Sequence, residues 1–514
     1  MLEIVEYIYT NDLEIAKIPA ATPRKLDDLC PLPEWTGTNK EEYAKAKKKR
    51  DLLSIELDAE VSKRLEMVFA LATAKKFLEY DKFWYVYKLD YRGRIYPKSS
   101  YLSIMKSKPI KVLLEFGEGE YLTDEGVYWL KIHIANTYGL DKEKYAERII
   151  WVDSNLDLIE LIGRDPFSYR SEWEDTDSPL EFIAACQAWV DHIEGKKVHL
   201  PIQLDATNSG LQMYSGLLRD REGGQTVNIV PLYDTDGTQL RADVYNNVAE
   251  VVNKLLAERD YIKVIDYTDK LGEAHSIYTP PIGDSLVGKI TRKLVKRPTM
   301  TTPYGVTFRG INEQLYDELK ALDDAGKSFW KGDTWVVNRI LTDVVEKAIG
   351  QVVKGSRIGQ DYLVSVSRLY KKPMYWKTPI YDFPVKQNTL DPNQSRVHTL
   401  FGHLTIKTPG KKHSTQRQAN QVAPNFIHSI DSTVLYNIIE RSQGSLGTIH
   451  DCLLVSPNYG KEAVQWYKDA FITVMDTDPL RQFQQQVDKD EEVKFPEYGS
   501  LTWDDVQEAE YIIC

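Results

Sequence analysis

An α+β fold follows from three features of the sequence. Two short apolar runs stop on single carboxylates: LPIQL leads to Asp205, and GTIHDCLLVSP carries Asp451 between two apolar halves. Around them lie long stretches with apolar residues at helical spacing, far more of the chain than the strand-like runs occupy. With 514 residues, 42% of them hydrophobic, there is material for two to four subdomains at roughly 150 residues each.

In order along the chain, residues 1–40 mix short apolar runs with Pro19, Pro23, Pro31 and Pro33 and read as an irregular lead-in. Residues 41–80 are helical in pattern, first through the basic run KAKKKR and then with Leu65, Val68, Phe69, Leu71 and Ala72 expected inward. The lysine run is either a solvated face or a phosphate-binding stripe. FWYVYKLDYRGRIY, residues 83–96, is aromatic and β-branched and so extended, with a break at 90–94. There Gly93 separates Arg92 from Arg94. Glycine permits a tight turn or a close approach, which leaves two readings: a hairpin turn with ion pairs, or an arginine pair on a nucleic-acid backbone. Residues 120–190 are mostly helical, with Lys131 on a helix of mixed faces and an acidic surface loop expected at 153–177.

The stretch LPIQLDATNSGLQMYSGLLRD, 200–220, is a strand, a cap-like turn at Asn208 and Ser209, and a helix with Leu211, Tyr214, Leu217 and Leu218 apolar. Asp205 either caps that helix or stands at a strand tip, where ligands collect. A helix over about 240–256 places Val244, Val248, Val251 and Leu255 on one face, with Tyr245 beside it. In GKITRKLVKRPTMTTPYG, Arg292, Lys296, Met300 and Tyr304 are spaced by four and share a helix face. Four cations, Arg292, Lys293, Lys296 and Arg297, fall within two turns. Like charges four apart repel, and an anionic ligand such as a triphosphate would offset that. Pro298 and Pro303 each remove a backbone donor, so the helix should end or kink near Gly305, with Tyr304 at an exposed tip. Residues 310–370 are helical. Residues 375–409 are extended, with turns at 391–393 and 401–402, and suggest a long hairpin over 384–408. Residues 415–425 are polar, and 426–439 form a helix with His428 near its start. Residues 447–457 are a strand, a tight turn carrying His450 and Asp451, and a second strand.

Composition narrows the function classes. No run approaches the roughly 18 apolar residues that span a membrane, and the acidic N-terminus MLEIVEYIYTNDLEIAK fits neither a secretory signal nor an Arg-rich transit peptide. Cys30, Cys186, Cys452 and Cys514 are scattered without metal-ligand spacing, which points to a reducing cytoplasm. The net charge of −11 argues mildly against a polyanionic partner, yet local excesses at 45–50, 289–297, 371–372 and 411–412 are enough for a positive groove.

Two isolated aspartates with a basic helix between them in sequence suit phosphoryl transfer, which asks the protein for positioning and charge neutralisation. Two Mg²⁺ ions roughly 4 Å apart can stabilise the attacking and leaving oxygens, and Mg²⁺ prefers carboxylates, phosphates and water. No GxxxxGK[ST] unit is present, which disfavours a P-loop nucleotidase.

LDATNSGLQMYSGLLRDREGG resembles motif A of the single-subunit, bacteriophage-type DNA-directed RNA polymerases, TRKLVKRPTMTTPYG resembles their motif B, and IHDCLLVSP their motif C. LDYRGRIYP, YWLKIHIAN and APNFIHSIDS match further segments in the same order, so the resemblance covers the chain from about residue 80 to its end. It implies a right-hand polymerase: a palm with an antiparallel sheet (81–238 and 428–514), mainly helical fingers (239–427), and a reduced N-terminal helical region (1–80) in place of a full thumb. By matching position, Asp205 and Asp451 would bind two Mg²⁺ ions, and Arg292 and Lys296 the triphosphate, with Lys131 a further phosphate contact. Tyr304, beside Gly305, would close over the nucleotide. His428 would meet the ribose 2′-hydroxyl, and Tyr245, across a few inserted residues, the nucleotide or that same hydroxyl. Arg92 and Arg94 would handle the template–transcript hybrid, and His450 and Arg297 would also face nucleic acid. The small residues Ala206 to Ser209 leave room for a ribose, and a polar partner such as His428 can bond the 2′-hydroxyl that separates RNA from DNA.

Three departures stand out. Pro303 precedes Tyr304 where a small non-proline residue is usual, and Cys452 follows Asp451 where Ser is usual. Only about 80 residues precede LDYRGRIYP, where well-known members carry several hundred. The expected partners are therefore DNA template, RNA transcript, nucleoside triphosphates, and either a second polypeptide supplying N-terminal promoter functions or an accessory factor that delivers melted template, in the cytoplasm of an infected bacterium. A family A-type DNA polymerase and a non-catalytic nucleic-acid-binding subunit are the competing readings.

Overall fold

The computed structural model describes residues 1–258, 262–268, 274–279, 283–330, 332–399, 402–408, 410–488 and 492–514. They fall into two compact units: residues 1–88, 96–204 and 443–463, and residues 89–95, 205–442 and 464–514. In chain order the elements that carry the argument are α1 (Leu2–Thr10), α2 (Lys40–Phe77), α3 (Asp124–Ala135), α4 (Pro179–Ile193), β1 (Ile202–Leu204), α5 (Ser209–Leu218), α6 (Val244–Ala257) and α7 (Arg292–Thr301). They continue with β2 (Met374–Lys377), β3 (Pro384–Gln387), β4 (Asn393–Thr399), β5 (Gly402–Thr408), α8 (Thr415–Arg441), β6 (Leu446–Ile449) and β7 (Cys452–Val455). The fold is α+β, with small antiparallel sheets among helices, as the sequence predicts.

In the first unit one apolar core joins α1, α2, α3 and α4. The helix expected over 41–80 is there, but its inward face is Leu57, Met67, Ala70, Leu71 and Ala74. Of the five residues expected inward only Leu71 is buried; Leu65 is 52% exposed, and Val68, Phe69 and Ala72 are exposed too. α2 carries two apolar stripes, and the alanine-bearing one is covered because small side chains let Ile4, Val5 and Ile8 of α1 come close. The acidic stretch 153–177 is not a loop: it holds helices Leu156–Arg164 and Arg170–Trp173. Ile159 and Ile162 are buried, and the carboxylates around them, Asp157 and Glu160, masked that period. The unit's sheet has the order β6–β7–β1, all antiparallel. Every residue of β7 is buried, as a central strand requires, and β1 is an edge strand of three residues.

In the second unit α5 is buried on all sides; its small and apolar residues pack closely, and its buried Gln212 amide donates to the Val227 and Ile512 carbonyls at 2.9 Å. α6 starts at Val244, and its inward row is Val244, Val248, Val252 and Leu256; Val251 and Leu255, expected there, are half-buried beside it. Residues 308–369 form three helices, as expected. Strands β2 and β3 pair as one hairpin, and β4 and β5 pair from Asn393↔Thr408 to Thr399↔Gly402. Asn393 already belongs to β4, and the turn expected at 401–402 starts on a residue outside those described. α8 absorbs the polar 415–425 as its first turns, capped by Ser414, so His428 sits mid-helix. No helix among the described residues is long and apolar enough to cross a membrane.

Candidate functional site

Asp451 sits where the sequence puts it. Ile449 pairs with Cys452, so His450 and Asp451 are the two residues of a tight turn. His450 has φ 58°, a left-handed conformation that His tolerates better than most residues, and its ring lies 5.3 Å from that of Tyr96 at a steep angle. β7 then runs back along β1, with Leu453 opposite Leu204.

Asp205 is the next residue after Leu204 and is exposed. It does not cap α5. Asn208 does, its side-chain oxygen accepting from the Leu211 backbone at 3.1 Å. The backbone of Asp205 instead pairs with Cys514, whose N–H donates to the Asp205 carbonyl at 3.1 Å, and Ala206 bridges Ile513. Asn228 holds the same segment from the side: its amide donates to the Thr207 hydroxyl at 2.8 Å and to the Ala242 carbonyl at 3.0 Å.

α7 places Arg292 in its first turn. The Arg292 guanidinium donates to Asp243 at 2.6 Å and lies 5.0 Å from the centre of the Tyr245 ring. The other Asp243 oxygen caps α6, accepting from the backbone of Tyr245 and Asn246. Tyr245 is buried and its hydroxyl donates to the Thr207 carbonyl at 3.1 Å. Burial pushes that phenol up to about 12. Lys293, Lys296 and Arg297 are exposed, while Leu294, Val295, Pro298 and Thr299 are buried; Arg297 pairs with exposed Asp317 at 3.3 Å. Pro298 is tolerated inside the helix, and Thr301 and Thr302 hydroxyls cover its carbonyl.

The helix ends at Thr301, as the prolines predict, and a 3₁₀ turn over Thr302–Tyr304 leads to Gly305 at φ 74°. Tyr304 is not an exposed tip. It is half-buried, its ring 5.0 Å from the His428 ring, beneath Gly210 of α5. A Cβ on Gly210 would lie 2.8 Å from Pro303 and 3.0 Å from the Tyr304 ring, so glycine is what lets the two segments meet.

The LDYRGR turn docks on α8 within the same unit. Arg92 donates to Asp90 at 2.6 Å and to His428 Nδ1 at 2.7 Å. A guanidinium can only donate, so Nδ1 accepts and the ring proton is on Nε2. Arg94 donates to Asp431 at 2.6 Å, and both side chains are nearly buried. Tyr91 donates to Asn425 at 3.0 Å, and Tyr436 donates to the Gly93 carbonyl. The turn is ion-paired through Arg92 with Asp90 and Arg94 with Asp431.

A family model described as DNA-dependent RNA polymerase matches residues 120–508. The chain belongs to the DNA-dependent RNA polymerases of the single-subunit, phage type. It is 28% identical to the DNA-directed RNA polymerase of Enterobacteria phage T3, over 98% of this chain and 61% of that one. It is 28% identical to T7 RNA polymerase of Escherichia phage T7, over 88% and 56%. With the mitochondrial DNA-directed RNA polymerase 1 of Arabidopsis thaliana it shares 30%, over 72% and 37%. The chain thus spans little more than half the length of its phage relatives.

Within this polymerase-family chain, Asp451, His450 and Lys131 belong to the first unit, and the other site residues expected from sequence to the second. Lys131 donates to Asp153 at 2.5 Å and lies 5.7 Å from the Trp189 ring. The second unit brings Arg292 to Tyr245, and Tyr304 and Arg92 to His428. Three partners went unforeseen. Asp243 carried only a helix-start signal, and nothing local tied it to Arg292, 49 positions on. Asp431 and the 512–514 segment pair with residues hundreds of positions away, a separation at which sequence pattern is silent.

Proposed function

We propose that the chain is the catalytic part of a DNA-templated RNA polymerase, joining ribonucleoside triphosphates to an RNA 3′ end with two Mg²⁺ ions held by Asp205 and Asp451. The observation that carries this is the register of β1 on β7: Leu204 pairs with Leu453, and each strand joins one aspartate, Asp205 just after β1 and Asp451 just before β7. The donor chemistry fits the ion. Asp205 is exposed and Asp451 half-buried, and carboxylates completed by water and substrate phosphates are what Mg²⁺ takes. Asp205 and Asp451 would hold the ions, whose charge would supply activation of the attacking hydroxyl and neutralisation of the leaving pyrophosphate.

The side chains do the rest. Arg292, oriented by Asp243 and the Tyr245 ring, binds the triphosphate together with Lys296. The triphosphate would compete with Asp243 for the Arg292 guanidinium. The Tyr304 ring and Gly305 close the nucleotide site. His428, its Nδ1 occupied by Arg92, offers Nε2–H to the ribose 2′-hydroxyl. Lys131 assists at the phosphates, and Arg92, Arg94, Arg297 and His450 act towards the template and transcript.

Relatives from phages T3 and T7 support a phage enzyme acting in an infected bacterium. The exposed apolar stripe of α2, Leu65, Val68 and Phe69, is the kind of surface another protein covers, and we read that protein as a second polypeptide supplying promoter functions. Incubation of the purified chain with a primed RNA–DNA template and either rNTPs or dNTPs, with Mg²⁺ or with chelator, tests the core reading. Chelator-sensitive extension with rNTPs is expected. A strong dNTP preference would make it a DNA polymerase, and binding without extension a non-catalytic subunit. Accurate initiation on closed promoter duplex by the chain alone would rule out the second polypeptide.

A further inference from the structure

Beneath β1, within the first unit, lies a buried polar cluster that the chemistry above does not use. Lys111 reaches Glu181 of α4 at 2.7 Å and donates to the Gln203 side-chain carbonyl, also at 2.7 Å. The Gln203 amide donates to the same Glu181 oxygen at 3.2 Å, and Lys108 lies 3.5 Å from its other oxygen. Glu181 and Lys111 have side chains only 8% and 15% exposed. The cluster walls a cavity of about 40 Å³ with Ile104, His133 and Leu454.

Such a cluster is a poor device for stability. Buried ion pairs replaced by apolar side chains of similar volume are often neutral or stabilising. What it provides is direction. Among the described residues β1 is an edge strand paired to β7, and only three positions, Ile202 to Leu204, pair with it, so the ladder that holds its register is short. Gln203 is held at both its carbonyl and its amide, so the strand has one lengthwise position in which both bonds form. Leu204 and Asp205 follow directly.

We propose that Lys111, Glu181 and Gln203 form a positioning clamp that fixes β1 lengthwise and thereby sets the carboxylate of Asp205. The clamp rests on the reading of Asp205 as a metal ligand. Residues that orient metal ligands in this way typically change metal affinity by roughly 10-fold to 100-fold when lost.

Two variants separate positioning from folding. Gln203→Leu removes the tether and leaves Lys111 and Glu181 paired to each other. The triple Lys111→Met, Glu181→Leu, Gln203→Leu removes all three clamp side chains at once and leaves Lys108 its contact with Ser178. Both are expected to melt near wild type, to exchange the Gln203 and Leu204 amide protons at least several-fold faster, and to bind Mn²⁺ roughly 10-fold more weakly by electron paramagnetic resonance. Lys111→Arg, which keeps the cation, should behave as wild type. Wild-type amide exchange and Mn²⁺ affinity in a folded triple variant would overturn the clamp; should Gln203→Leu fail to fold, the triple variant decides. Asp205→Asn is the control: if it binds Mn²⁺ as tightly as wild type, the metal reading fails, and amide exchange alone then judges the clamp.

Discussion

At the scale of single residues, the question left open at Asp205 has an answer in its neighbours. Asn208 caps α5, so Asp205 stands outside the helix that its sequence position invited it to cap. Replacing Asp451 with Asn should lower Mg²⁺-dependent extension by roughly a thousandfold or more while template binding, followed by fluorescence anisotropy, stays near wild type. Arg94 and Asp431 are a different case, a nearly buried pair whose partner loss is costly. Arg94→Met should destabilise the protein by roughly 3 kcal/mol, read as a lowered urea midpoint. His133 gives a pH dependence. Burial holds its imidazole down at about 4, from an ordinary 6.5. The unfolded chain therefore takes up a proton below pH 6.5 that the folded chain refuses until about 4, and stability falls as pH drops through that window, by roughly 3 kcal/mol in all. His133→Leu should flatten that part of the stability profile, and an unchanged slope would assign it elsewhere.

At the scale of elements, the strand–turn–strand at 446–455 and the end of α7 before Gly305 were legible in sequence, because both are fixed by local rules: a two-residue turn and proline's missing donor. Which stripe of α2 faces inward was not, because two apolar stripes satisfy the same period and only the partner helix chooses between them. The placing of Tyr304 failed for a related reason. A helix tip looks exposed until another element covers it, and α5 covers this one through Gly210. Gly210→Ala should force Pro303 or the Tyr304 ring aside, costing roughly 1–3 kcal/mol. A raised KM for ribonucleotides with a modest fall in melting temperature is expected; unchanged kinetics would detach Tyr304 from the nucleotide site.

At the scale of the whole chain, a net charge of −11 coexists with local basic stripes. Binding to template–primer is expected to depend on those stripes, so affinity should drop by roughly tenfold or more between 50 and 200 mM salt; a flat response would mean that phosphate contacts contribute little. The sequence by itself determined the class of fold, the turn that carries Asp451, the basic helix and, through six motifs in order, the family. These are properties of local chemistry and spacing. Tertiary structure alone decided that Asp243 holds Arg292, that Arg92 fixes the tautomer of His428, and that Lys111 and Glu181 bond Gln203 in the strand before Asp205. Each of those is a contact that only the folded chain brings about, most of them between residues far apart in sequence. Charge and hydrogen-bonding capacity, unlike helical or strand period, leave no trace in sequence of which partner they will meet.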